Sequence, residues 1–83
     1  MAEQLAGTIT HFYPKISVAI LKLKYKLAEG DTIHITGKRT DFKQLVESMQ
    51  INMIPVREAY PGNEIGLKVA HIVHAGDNVY KIL

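Results

Sequence analysis

The stretch VREAYPGNEIGLKV, Val56 to Val69, sets a Pro-Gly turn in front of a run that alternates apolar residues with others. Continued to Val73, the run places Leu67, Val69 and Val73 on one parity, with His71 between them. A period of two means that successive side chains point to opposite faces, which is the mark of a half-buried strand rather than a helix. The rest of the chain is best read outward from this strand.

The same period recurs upstream. In TIHIT, Thr32 to Thr36, Ile33 and Ile35 share one side while Thr32, His34 and Thr36 share the other. NVYKIL near the C-terminus is a further short strand. The run ISVAILKLKYKL is apolar on both parities: Ile16, Val18 and Ile20 on one, Leu21, Leu23, Tyr25 and Leu27 on the other. One straight strand cannot bury both sets, so this run requires a bulge, a strong bend or burial on both faces. In FKQLVESMQINM, residues 42–53, Leu45, Met49 and Ile51 suit a strand face. FKQLVESM would also make two helical turns; strand is the favoured reading.

Turn chemistry separates the runs at Tyr13-Pro14, Glu29-Gly30-Asp31, Gly37-Lys38, Ile54-Pro55, Pro61-Gly62-Asn63 and Gly76-Asp77. Proline presets φ, glycine permits positive φ, and Asp or Asn closes a turn with its side chain. EGDTIHI and AGDNVYKI repeat one such turn, each entering a strand. The pattern predicts an all-β fold, a six-stranded antiparallel Greek-key-like barrel whose closure hides its edges. Residues 1–83 are read as a single domain with one small core.

Composition narrows the function. With 47% hydrophobic and 22% charged residues the chain is globular rather than disordered. The absence of cysteine removes disulfides, thiolate zinc sites and a cysteine nucleophile together. MAEQLAGTIT has neither the basic region nor the apolar core of a signal peptide, and no window nears 18 apolar residues. A cytoplasmic protein that engages no membrane is expected. The net charge of +2 is too small to decide for or against a phosphate-bearing partner.

Taken in order, AGTITHFYPKISVAIL, LAEGDTIHITG, VESMQI, VREAYPGNEIGLKV and HAGDNVYKIL resemble domain II of the translational GTPases, such as elongation factor Tu. The last element of that pattern is Ala-x-x-Gly-x-x-aliphatic-Gly-Leu, carried here by Ala59, Gly62, Ile65, Gly66 and Leu67. The resemblance spans residues 6–82 and implies a barrel that holds RNA. Its GTPase partner domain has no counterpart: GKRT at 37–40 has Arg39 where a phosphate loop needs Ser or Thr, and Thr32 where it needs glycine. Aligned on the Ala-x-x-Gly element, the acidic residue that meets the terminal adenosine of tRNA becomes Gln50, and a nearby arginine becomes Met53. Glutamine still bonds a base edge, but methionine does not replace a guanidinium.

The candidate nucleic-acid-binding residues are therefore Lys22, Lys24, Lys26, Lys38, Arg39, Lys43 and Gln50. If the second and third strands pair, the basic residues form one patch along a phosphate backbone. Otherwise they are a solvated face that discourages edge pairing. Tyr25 is read as a core residue, while Tyr13 and Tyr60, beside prolines, are better placed for contacts. The four histidines do not cluster: His71 and His74 point to opposite faces of a strand, and His11 and His34 are isolated. No metal, cofactor or catalytic residue is expected, and Ser17 and Ser48 lack a base. The expected function is a non-catalytic, translation-factor-like module engaging tRNA, rRNA or a ribonucleoprotein surface. The alternative is a protein-protein adaptor or accessory subunit of a separately encoded enzyme.

Overall fold

The computed structural model describes residues 2–83. Alternation becomes antiparallel pairing throughout. The long β1 (Glu3–Tyr13) is followed by β2 (Val18–Leu23), β3 (Leu27–Ala28), β4 (Thr32–Thr36) and β5 (Asp41–Leu45). Then come β6 (Met49–Ile51), β7 (Ile54–Val56), β8 (Glu58–Ala59), β9 (Glu64–Lys68) and β10 (Asn78–Ile82). Among the described residues there is no helix, and so none long and apolar enough to cross a membrane.

The expected six-stranded closed barrel is corrected by the pairing. Eight strands form one sheet in the order β5-β4-β10-β1-β2-β9-β6-β7, and β3 and β8 form a separate two-stranded ribbon. The backbone ladder does not close on itself. In place of a ladder, the Gln44 side chain reaches from edge strand β5 to the end of β9. Its Nε2 donates to the Lys68 carbonyl at 2.9 Å and its Oε1 accepts from the Ala70 N–H at 2.7 Å. A side-chain amide carries one donor and one acceptor group, as a peptide does, and here spans the gap as a peptide would.

The excess of strands over six comes from bends inside the expected runs. The doubly apolar run breaks at Lys24 and Tyr25, giving β2 and β3. Leu21, Leu23 and Leu27 go inward, and Tyr25 packs against the core. Within residues 42–53 the chain forms strand, as favoured, at the end of β5 and in β6, but it crosses between sheet edges at 46–48, which switches parity. Val46 and Met49 are buried while Leu45 is 54% exposed. The turn expected at Ile54-Pro55 lies instead at Asn52-Met53. Ile51 pairs with Ile54, and both turn residues have positive φ, 52° and 64°, as a type I′ hairpin requires.

The repeated turn is real and occurs three times. Asp31 Oδ2 accepts from Ala28 N–H at 2.8 Å, Asp77 Oδ2 from His74 N–H at 2.9 Å, and Asn63 Oδ1 from Tyr60 N–H at 2.9 Å. In each, the preceding glycine (Gly30, Gly76, Gly62) has φ between 90° and 96°. That is the third position of a type II turn, where a Cβ is disfavoured. The three strands that follow these turns, β4, β9 and β10, deliver Ile33, Ile35, Leu67 and Val79 to a fully buried core.

One outer-face contact links three strands. His34 on β4 faces Glu3 of β1 through Nδ1 at 2.9 Å and Asp41 of β5 through Nε2 at 2.5 Å. The Asp41 carboxylate, then Glu3, favour the imidazolium and raise the His34 pKa above its ordinary 6.5. A raised native pKa means that the pairs stabilise fully below the unfolded value and are lost as pH rises through the native one. The unfolding free energy from urea titration is thus expected to fall as pH rises above about 6.5, by less than about 1 kcal/mol for so exposed a pair. His34→Ala should flatten that slope; an unchanged slope would show that the pairs do not couple to folding.

Candidate functional site

The basic residues do not gather. β2 and β4 are not neighbours, since β1 and β10 lie between them. Lys22 lies on β2, exposed, in register with Thr8 and Glu64, and Lys24 is exposed in the bend that follows. Lys26 is engaged: its ammonium lies 3.7 Å from Glu58 and 5.6 Å from the centre of the Tyr60 ring. Tyr60 donates its hydroxyl to Glu58, and this bond, aided by Lys26, holds the Glu58 carboxyl below its ordinary range. Lys38 and Arg39 are exposed in the β4–β5 turn, and Lys43 lies opposite His34 on β5. The single patch expected from pairing of the second and third strands therefore does not form.

The histidines are placed apart. His71 packs edge-on against Phe42, with ring centres 4.8 Å apart. His74 belongs to a latch between the β4–β5 turn and the loop before β10. Buried Thr40 donates its hydroxyl to Asp77 Oδ2 at 2.5 Å, and His74 Nδ1 lies 3.3 Å from the same hydroxyl. A threonine, a histidine and an aspartate in contact suggest a nucleophile. The geometry says otherwise: Thr40 is buried, and its proton is committed to the carboxylate instead of to the imidazole. Among the described residues no group of three or more His, Asp or Glu is arranged to hold a metal ion.

The surface feature that stands out is apolar. The outward parity of the second run, Val18 and Ile20, lines a hollow of about 460 Å³ on the outer face of β2, β9 and β6. Gly66 of β9 also lines it, and a Cβ there would come within 3.2 Å of Val18 Cγ1. Two turns flank it. Tyr13 comes from the end of β1 and Ile16 from the turn that follows it, and Asn52 and Met53 come from the β6–β7 hairpin. Ile16 is 60% exposed and Met53 89%. Gln50 lines the hollow too, so Gln50 is the one candidate residue that lies there, beside apolar side chains. Glu64 is the only charged residue lining it, with no lysine or arginine.

This hollow was missed in the sequence, although the signal was present. Ile16, Val18 and Ile20 are the parity left over once Leu21, Leu23 and Leu27 enter the core. Apolar side chains left over by the core must face either solvent or a partner.

The fold and surface can now be set beside known proteins. No family model matches the chain. In solved structures, the chain superposes on the C-terminal domain of a Geobacillus thermoleovorans protein named as a U32 peptidase. The TM-score is 0.88 at 18% identity, covering 96% of this chain and 93% of that one. The selenomethionine variant of the same domain gives 0.87 at 18% identity, covering 92% and 96%. In fold, this chain is like a U32 peptidase C-terminal domain. Among curated proteins, it is 45% identical over 75 residues to a Methanocaldococcus jannaschii protein described as an uncharacterized protease. The match covers 89% of this chain but only 18% of that protein.

These similarities overturn the resemblance to translation factor domain II, and with it the reading as an RNA-binding, elongation-factor-like module. The reason is physical. The Ala-x-x-Gly-x-x-aliphatic-Gly-Leu pattern encodes an Asn-closed type II turn leading into β9, which is backbone geometry and not ligand chemistry. Any small antiparallel sheet needing that turn can carry it.

Proposed function

We propose that this chain is a non-catalytic accessory module that docks, through its apolar hollow, on the catalytic unit of a protease-type enzyme. The observation that carries the reading is the 45% identity to a segment that makes up 18% of a protein described as a protease. A segment of that size beside a much larger remainder supports a docking or positioning part rather than the reacting centre. The engagement of the Thr40 hydroxyl with Asp77 fits the same reading, because it leaves the Thr40, His74 and Asp77 contact as a structural latch. The apolar, cation-free lining of the hollow supports a protein partner over a phosphate-bearing one.

The test is purification of a tagged chain from its native host in the presence of nuclease. The expected product is a stoichiometric complex with a protein related to the part of the Methanocaldococcus jannaschii protease that this chain does not span. The isolated chain is expected to cleave no peptide substrate. Recovery of RNA or ribosomal particles alone, lost on nuclease treatment, would overturn the proposal.

A further inference from the structure

The open seam of the sheet lies between β5 and the segment that follows β9. Three side-chain contacts cross it in order. Gln44 meets Lys68 and Ala70, Phe42 meets His71 edge-on, and Thr40 meets His74 and Asp77. Positions fall along β5 as they rise from 68 to 77, so the two stretches run antiparallel, as a strand pair would. Among the described residues, no backbone bond joins them.

Both walls of the seam carry unpaired backbone groups. The β4–β5 turn is closed by the Gly37 N–H, which donates to the Thr40 carbonyl at 2.7 Å. Bonded and non-bonded pairs alternate along an antiparallel ladder, so Phe42 and Gln44 bond to β4. The N–H and C=O of Asp41 and Lys43 then face the seam. On the other wall, among the described residues, His71, Ile72 and Val73 make no backbone–backbone bond, and the Ala70 N–H has only the Gln44 side chain.

This second wall is pinned at its ends. The Val69 N–H donates to the Ser17 carbonyl at 2.9 Å, and the Gly76 N–H to the Ile9 carbonyl at 2.7 Å. Between the pins, Ala70, His71 and Ile72 are exposed, and only the Val73 side chain, 1% exposed, is sunk in the core. A loop laid over a strand edge keeps that edge from pairing with other chains. A segment with few buried contacts and no ladder of its own opens at lower free energy than the sheet around it.

We propose that residues 70–73 are a strap over the β5 edge, fastened by Gln44 and by the Val73 side chain, that lifts while the sheet stays paired. Lifting bares the outward backbone groups of Asp41 and Lys43, so the strap governs when that edge is open to pairing. The device is separate from the docking function proposed above and does not depend on it.

The chain contains no cysteine, so one introduced thiol reports on one position. Val73→Cys lies under the strap, and Val79→Cys lies on β10, fully buried between β4 and β1. Each is reacted with an aromatic disulfide reagent at urea concentrations below the unfolding midpoint. Without urea, Val73→Cys should react about a hundredfold faster than Val79→Cys or more. Its rate should barely change with urea, because lifting the strap exposes little surface, whereas the Val79→Cys rate should climb steeply. Adding Gln44→Ala, which removes two hydrogen bonds, should raise the Val73→Cys rate about tenfold and leave it flat in urea. A Val73→Cys rate that climbs with urea as steeply as that of Val79→Cys, or one that Gln44→Ala does not raise, would overturn the proposal. Hydrogen exchange at the Ala70 amide of the unsubstituted chain should likewise be flat in urea. A steep rise there would overturn the proposal even if Val73→Cys failed to fold.

Discussion

Replacing Gly37 with alanine is expected to destabilise the fold by about 2–3 kcal/mol, the upper part of the range for overpacking a filled site. The added Cβ would lie 1.9 Å from Asp77 Oδ1 and 2.6 Å from its Cγ. A flexible side-chain end would ordinarily swing away from such a contact. Asp77 has little freedom to do so. It is buried, and its Oδ2 accepts from the Thr40 hydroxyl at 2.5 Å and from the His74 N–H at 2.9 Å. Moving the carboxylate would break bonds to a charged group worth about 1.5–3 kcal/mol each. The same geometry makes the prediction specific. Asp77→Ala alone should also destabilise, by leaving the buried Thr40 hydroxyl without its acceptor. In that background, however, Gly37→Ala has nothing to strike, so most of its cost should vanish. Urea denaturation of the two single variants and the double variant measures a coupling of about 1–3 kcal/mol. Equal costs for Gly37→Ala in both backgrounds would show that the close approach to Asp77 is not the cause.

Leu67→Ala is expected to have a larger effect still, about 3–5 kcal/mol. Leu67 is fully buried on β9, opposite Ala19 on β2 and Met49 on β6. Ala19 has no side-chain length with which to fill the space. β9 also has a neighbour on each side, which limits collapse of the cavity. For a domain of this size the total stability is of the order of 4–12 kcal/mol, so this one deletion removes a large share of it. The thermal midpoint should fall by roughly 12–40 °C, taking about 4–8 °C per kcal/mol for a small domain. Substitution of the exposed Leu45 by alanine, on the neighbouring parity, should change it little. If the two leucines proved equally tolerant, the assignment of the core parity would be wrong.

The contrast between Leu45 and Leu67 also marks where the sequence was legible. Leu67 sits in a run with an uninterrupted period of two, and its inward direction could be read directly. The same holds for Ile33 and Ile35, each flanked by polar residues in TIHIT. Leu45 was read on the face of Met49 and Ile51, but the crossing at 46–48 inserts a change of parity between them. Nothing local announces that crossing. It is driven by the bonds that Val46 makes to Asp31 and Gly30, and Ser48 to Lys68, all distant in sequence. The turn near Pro55 was likewise displaced, because Asn52-Met53 lacks the glycine by which a type I′ hairpin is usually found.

The candidate site was less legible than the fold. Lys22, Lys24 and Lys26 and the basic residues of the β4–β5 region are close in sequence, and a simple meander would have joined them. Instead β10 and β1 enter between β4 and β2 and hold the two groups apart. Conversely, Ile16 and Met53 are far apart in sequence, and only the packing of β2, β9 and β6 brings their turns to one hollow.

Taken alone, the order of residues determined what is local in this protein: that it is β, which parity of its clean strands enters the core, and where three glycine-containing turns are closed by Asp or Asn. These follow from interactions spanning at most a few residues, whose geometry the residue types themselves impose. Strand order, the open edge bridged by Gln44, the dispersal of the basic residues and the assembly of the apolar hollow were decided only in three dimensions. They depend on which distant strands compete successfully to pair, and that outcome is set by the packing of the whole chain.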